Sequence, residues 1–195
     1  MRFVIRKVPE RNTDYLERLI PNAIVYNDIE HVGALFSFLS VLKYVNGDAC
    51  YVQDDMILCK DFRKRAMEYI NRMPHDVIVF SNFTIDKTAR DVVKEGFYDA
   101  MKGGWLLCTY IPKEIADGFL EWWREGEYKK DGRFQKWIKN QYDDAFFCKY
   151  LQSVGKEVYV VVPNLAGHPK NKSVIDNRRP KVTTNFDFEN CEKDE

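Results

Sequence analysis

Three observations predict an α/β fold built on a mostly parallel sheet flanked by helices. Four short apolar runs alternate with three stretches of helical periodicity in the first 80 residues, the pattern of successive β-α-β units. A length of 195 residues suits one domain with a sizeable core. The composition, 45% hydrophobic and 31% charged, is that of a folded globular chain.

The elements follow in order. Residues 2–6 form a short strand, and Pro9, Glu10 and Arg11 lead into a helix capped by Asn12 or Thr13. Leu16, Leu19 and Ile20 share one face of it, and Pro21 ends it. Residues 23–26 make the second strand, closed by Asn27 and Asp28. Val32, Leu35, Phe36, Leu39 and Leu42 mark a longer helix that Asn46-Gly47 terminates. Residues 49–52 are a wholly apolar third strand, after which the chain turns polar at Gln53-Asp54-Asp55. A helix from near Asp61 turns Phe62, Ala66, Tyr69, Ile70 and Met73 inward, and Pro74 breaks it before a strand over 77–80. Residues 81–104 are less regular.

A hydrophobic strand over 105–111 then runs into Pro112, suited to the first turn of a helix lined by Ile115, Phe119, Trp122 and Trp123. Residues 124–139 read as a charged surface connection with one short helical piece. A helix begins at Gln141-Tyr142-Asp143-Asp144, with Phe147, Tyr150, Leu151 and Val154 inward, and the last strand is 158–162. One domain over residues 1–186 is expected, with 187–195 as an acidic, disordered tail.

The bulk properties exclude several classes. Formal net charge is zero, and Asp187, Glu189, Glu192, Asp194 and Glu195 against Lys193 leave the tail at −4, hence residues 1–186 at +4. That bias suits an anionic ligand without a field strong enough to advertise nucleic acid. Five cysteines, odd in number and without CxxC spacing, argue against a disulfide framework or structural zinc. The first residues lack the apolar core of a signal peptide, and no run reaches bilayer length. A reduced, cytoplasmic protein that does not engage membranes is expected. No P-loop, dinucleotide glycine motif or GxSxG is present.

Three constellations carry chemistry. Asp54 and Asp55, with Gln53 before them, follow a buried strand, where open α/β sheets place ligands. Adjacent carboxylates there call for a positive partner, such as a divalent ion completed by substrate phosphates; a solvated turn is the plain alternative. His168, after the last strand and the small residues Ala166 and Gly167, suits a third metal ligand, or ordinary loop surface. Lys170, Lys172, Arg178 and Arg179 then offer cations to a diphosphate. Asp143 and Asp144 open a helix, which either complements the macrodipole or presents a general base.

In this order the features resemble the GT-A-type glycosyltransferases, especially small phage-encoded members and the galactosyltransferase-like group acting on collagen and lipopolysaccharide. The similar stretches are Pro9-Glu10-Arg11, Tyr26-Asn27-Asp28, residues 51–62 around Gln53-Asp54-Asp55, residues 105–123, Tyr142-Asp143-Asp144, and residues 162–168 with Ser173-Val174-Ile175. The resemblance spans about residues 3–186 and implies a single-domain GT-A-like (Rossmann-like) fold. It implies that Asp55 with Asp54 grips Mn²⁺ or Mg²⁺ and the diphosphate of a nucleotide sugar, a UDP-sugar first. It implies that His168 is the late metal or diphosphate ligand and that Asp144 or Asp143 is the base of inverting members. Arg11 and Asp28 fall where such enzymes contact the nucleotide. Gln53 departs from the pattern, because relatives often carry an acid there, and Gln supplies only a neutral oxygen.

The expected function is therefore metal-assisted glycosyl transfer to an acceptor hydroxyl on a glycan, a protein or a modified DNA base. If the phage resemblance is literal, the place is the host cytoplasm and the acceptor a hydroxymethylated pyrimidine. The alternatives are a metal-dependent nucleotidyltransferase and a degenerate GT-A-fold module that only binds a nucleotide sugar or a protein.

Overall fold

The computed structural model describes residues 1–82, 91–96, 105–168 and 186. Its centre is a seven-stranded sheet made of β1 (Arg2–Lys7), β2 (Ile24–Asn27), β3 (Ala49–Gln53), β5 (Val77–Val79), β6 (Asp91–Gly96), β7 (Cys108–Ile111) and β8 (Val158–Val162). The strand order is β2-β1-β3-β7-β5-β8-β6. Pairings β1–β2, β1–β3 and β5–β8 are parallel, whereas β7 is antiparallel to β3 and β5, and β6 is antiparallel to β8. Five strands thus share one direction and two oppose it, a mostly parallel, Rossmann-like sheet.

Side-chain alternation divides the core into two layers. On β1, Val4 faces one layer while Phe3 and Ile5 face the other; on β3, Ala49 and Tyr51 oppose Cys50 and Val52. The first layer is covered by α2 (Ala34–Val45), α4 (Lys113–Arg124) and α6 (Asp143–Ser153). The second is covered by α1 (Asp14–Leu19) and α3 (Phe62–Arg72). Helices on both faces make the strands continuous apolar runs, which is why β3, β5 and β8 were visible in the sequence.

Several elements differ from the expectation. Residues 105–107 form a single 3-10 turn, and only 108–111 are strand. Strand β6 falls within a stretch read as irregular. Val93 packs against the first layer and Val92 against the second, and β6, an edge strand, pairs among the described residues with β8 alone. Helix α2 starts at Ala34 and buries Leu35, Phe38, Leu39, Val41, Leu42 and Val45. Val32 and Phe36, placed inward by periodicity, are instead exposed at 38% and 40%. Phe38 takes the central place, and Phe36 only meets the edge of Trp123, with ring centroids 6.5 Å apart. Likewise Val154 is the exposed C-cap of α6, and Phe146 is buried in its stead. The short helical piece in 124–139 is α5 (Phe134–Lys139), preceded by a 3-10 turn. The acidic tail lies outside the described residues.

A second, two-stranded sheet pairs β4 (Ile57–Leu58) with β9 (Ala166–Gly167), antiparallel. It is tied to the main sheet, since Phe80 O accepts from the N–H groups of Leu165 and Ala166 at 3.0 Å each. Asn164 and Asn82 add reciprocal bonds, from Asn82 N to Asn164 Oδ1 and from Asn164 Nδ2 to Asn82 O. These links fix the chain just before His168. Among the described residues, no helix is long and apolar enough to cross a membrane.

Phe38 lies at the middle of the first layer, with Tyr51, Phe119 and Phe147 ring centroids at 6.1, 5.9 and 5.8 Å. Phe38→Ala removes a fully buried ring among rigid neighbours. A loss of about 3–5 kcal/mol in unfolding free energy is expected from urea titration; a loss under about 1 kcal/mol would show that this layer repacks freely.

Candidate functional site

The carboxyl ends of β1, β2 and β3 open together on one edge of the sheet, and the N-terminal end of α2 and the chain entering α6 close over them. Between them lies a cleft of ≈ 270 Å³, lined among others by Arg6, Asp28, Gly33, Gln53, Asp54 and Gln141. Its volume lies just below the range of small-ligand sites, which begins at roughly 300 Å³.

Asp54 and Asp55 are adjacent in sequence but differ in role. Asp54 completes the junction of β1 and β3. Its N–H donates to Arg6 O at 3.0 Å, and its Oδ2 accepts from Val8 N at 2.9 Å. Its Oδ1 accepts from Arg11 Nη1, 3.0 Å away. Asp55 points its Oδ2 at His168 Nε2, 3.0 Å away, and at the same Arg11 Nη1, also 3.0 Å. Asp55 Oδ1 is buried and has no hydrogen-bond partner among the described residues. The small sheet explains why residues 113 positions apart meet. Ile57 pairs with Gly167, so Asp55, two residues before Ile57, and His168, next after Gly167, are brought side by side. Gly167 has to be small, because a Cβ there would lie 2.5 Å from the Phe186 ring.

Among the described residues no three His, Cys, Asp or Glu side chains form a group able to hold a metal ion unaided. The expected trio reduces to Asp55 and His168, since Asp54 is held by Val8 and Arg11. Two protein donors with an unused carboxylate oxygen still fit a hard divalent ion that takes its remaining ligands from phosphates and water.

The two carboxyls shift in opposite directions. Burial lifts Asp54 above the ordinary carboxylate range, outweighing the Val8 N–H and the Arg11 charge. Burial is also the largest influence on Asp55 and acts upward, but the His168 hydrogen bond and charge, together with Arg11, carry it below the ordinary value.

The other expected residues fall as follows. Asp28 is buried and lines the cleft; its Oδ1 accepts from Val32 N at 3.1 Å, and its N–H donates to Lys7 O at 2.9 Å. It shapes the turn into α2 at the rim. Gln53 is half-buried on the cleft wall. Asp143 is buried, and its Oδ2 accepts from both Nη atoms of Arg6 at 3.2 Å. Asp144 is half-buried in the first turn of α6, its Oδ1 accepting from Ala145 N at 2.8 Å. Lys170, Lys172, Arg178 and Arg179 lie outside the described residues.

Arg6, Gly33 and Gln141 were not foreseen. Arg6 also donates to Ala34 O at 2.8 Å and lies 5.1 Å from the Phe38 ring centroid. Its signal was present: an arginine inside an apolar strand requires a buried anion, and Asp143 is one. Gly33 has φ +91°, and a Cβ there would come within 2.8 Å of Gln141 Oε1. Gln141 itself has φ 55°, a left-handed backbone uncommon for its residue type, and its Oε1 is buried without a hydrogen-bond partner among the described residues.

No family model matches the chain, and no curated protein matches it in sequence. In structure it is similar to A197 from STIV, whose crystal structure aligns with a TM-score of 0.50 at 15% identity, covering 96% of each chain. At that identity the likeness shows the fold alone.

The carboxyl shifts have a sign that urea denaturation can read. The depressed value of Asp55 contributes stability above the unfolded value, about 3.9, that is lost as pH falls through the folded value. The raised value of Asp54 is a cost above its folded value, relieved as pH falls toward about 3.9. Asp55→Asn should therefore lose about 2 kcal/mol at pH 7, the scale of hydrogen bonds to charged groups, and clearly less at pH 3. Asp54→Asn should lose less than Asp55→Asn at pH 7. Equal losses at both pH values for Asp55→Asn would contradict this electrostatic reading.

Proposed function

We propose that the protein is a GT-A-like glycosyltransferase that moves a sugar from a nucleotide sugar, a UDP-sugar first, to an acceptor hydroxyl. The observation that carries this reading is the 3.0 Å approach of His168 to Asp55, beside a cleft at the ends of three parallel strands. A crevice outside the carboxyl ends of strands is where open α/β sheets bind their ligands.

In this reading the cleft holds the nucleoside, with Asp28 and Gln53 among its contacts, and Arg11 meets the nucleotide at its phosphates. Asp55 and His168 would hold Mn²⁺ or Mg²⁺. When bound, the ion supplies Lewis-acid stabilisation of the diphosphate leaving group. Lys172 remains a proposed diphosphate contact. Asp144 accepts the proton of the acceptor hydroxyl as its oxygen bonds to the anomeric carbon. The bond from that carbon to the diphosphate oxygen breaks, and its electron pair leaves with the nucleotide. Asp143, bound to Arg6, positions the start of α6 rather than acting as the base. The acceptor is a hydroxyl of a glycan, a protein or a hydroxymethylated pyrimidine.

A second reading, a module that binds a nucleotide sugar without turning it over, is favoured by one observation. Gln53 stands on the cleft wall in the position where relatives of this type often carry an acid. Release of pyrophosphate rather than of a nucleoside diphosphate would instead identify a nucleotidyltransferase.

Thermal melts with UDP-, GDP-, CMP- and dTDP-sugars, each with and without Mn²⁺, test the proposal, because a ligand of the native state raises apparent stability by mass action. One donor should raise Tm, and more so with Mn²⁺; a flat response to all of them would count against the reading. With that donor, Asp144→Asn should lower kcat by roughly 10²–10⁴, the usual worth of a general base, and leave donor affinity unchanged. A normal kcat in Asp144→Asn would remove it from the catalytic role, and a normal kcat in Asp55→Ala would remove the metal site.

A further inference from the structure

Arg11 lies in the loop between β1 and α1, and its Nη1 is 3.0 Å from Asp54 Oδ1 and 3.0 Å from Asp55 Oδ2. One guanidinium nitrogen thus bridges two carboxylates. Asp55 Oδ2 is at the same time the oxygen that meets His168. The positive charge of Arg11 therefore sits on the atoms that a divalent cation would use. The partner oxygen, Asp55 Oδ1, is buried and without a hydrogen bond among the described residues, an acceptor that Arg11 leaves unused. Two adjacent, largely buried carboxylates need neutralising charge, and Arg11 supplies it in the ligand-free chain.

We propose that Arg11 is a placeholder cation that makes divalent-ion binding depend on nucleotide. A metal ion arriving alone must displace Arg11 or share the carboxylates with it, and like charges at this distance repel. A nucleoside diphosphate changes the balance. Its phosphates offer Arg11 a planar, bidentate partner better suited to a guanidinium than a single shared nitrogen contact. The side chain belongs to a turn outside the helices and strands and is partly exposed, so it is free of the constraints of an element. Moving to the phosphates, Arg11 vacates Asp55 as the anion brings compensating charge. The inference rests on the nucleotide-sugar reading above and adds to it an order of assembly: ion uptake is weak alone and strengthened by nucleotide.

Titration of the full chain with Mn²⁺, read by the electron paramagnetic resonance signal of the free ion, tests this with and without UDP. For the wild type, UDP should tighten Mn²⁺ binding at least tenfold. Arg11→Gln should bind Mn²⁺ alone at least tenfold more tightly than the wild type, and UDP should then tighten it by a clearly smaller factor than in the wild type. Arg11→Lys, which keeps the charge, should stay near the wild type without UDP. Should Arg11→Gln melt early because Asp54 and Asp55 repel, Mn²⁺ alone should restore its Tm while leaving the wild-type Tm nearly unchanged. Unchanged or weaker Mn²⁺ binding by Arg11→Gln, with normal UDP-dependent uptake by the wild type, would overturn the placeholder role and leave the nucleotide-sugar reading standing. Uptake of Mn²⁺ by no variant, with or without UDP, would overturn both.

Discussion

Arg6 carries a full charge into the interior at 7% exposure, and such a charge is tolerable only where an anion and hydrogen-bond acceptors meet it. Asp143 supplies the anion, Ala34 O an acceptor, and the Phe38 ring a face within 5.1 Å. These partners come from two separate stretches of chain: Asp143 opens α6, and Ala34 and Phe38 belong to α2. The demand of one guanidinium therefore sets how closely two helices approach the end of β1. It also makes the cleft polar at its floor, since Arg6 lines it beside Asp28 and Asp54.

The second constraint runs through the small sheet. Two-residue strands contribute little stability by themselves, but β4 and β9 act as a clasp between the chain after β3 and the chain after β8. Hydrogen bonds from Leu165 and Ala166 to Phe80 O, and the Asn82–Asn164 pair, hold that clasp against the main sheet. The result is that Asp55 and His168, far apart in the sequence, stand at hydrogen-bond distance. The charged centre of the proposed site is thus positioned by backbone pairing, which is more rigid than a loop would be.

Much of this was legible in the sequence because burial on both faces leaves an unmistakable mark. Residues 49–53, 77–79 and 158–162 are runs of mostly apolar side chains, and their spacing with helical periods specifies a mostly parallel sheet. The opposed direction of β7 was not legible, since an apolar run carries no mark of whether it pairs parallel or antiparallel. Strand β6 was missed because an edge strand needs few apolar residues. Phe36 and Val154 were misplaced because periodicity allowed two adjacent stripes, and only the partner surfaces decide between them. The candidate site shows the same division. The sequence singled out Asp54, Asp55, Asp143, Asp144 and His168, yet it had no means of separating neighbours of identical chemistry. Tertiary partners do so: Val8 N–H claims Asp54, Arg6 claims Asp143, and His168 meets Asp55. Gln141 and Gly33 were invisible because their roles lie in backbone conformation and a close approach.

The central claim is that a nucleotide occupies the cleft at the ends of β1–β3 with its diphosphate directed toward Asp55 and His168. Crystals grown with UDP and Mn²⁺, measured at the manganese absorption edge, address it in one experiment. The expected result is a nucleoside between Asp28 and Gln141 and an anomalous peak between the Asp55 carboxylate and the His168 ring. A nucleotide seated elsewhere on the chain, or an anomalous peak remote from Asp55, would contradict it.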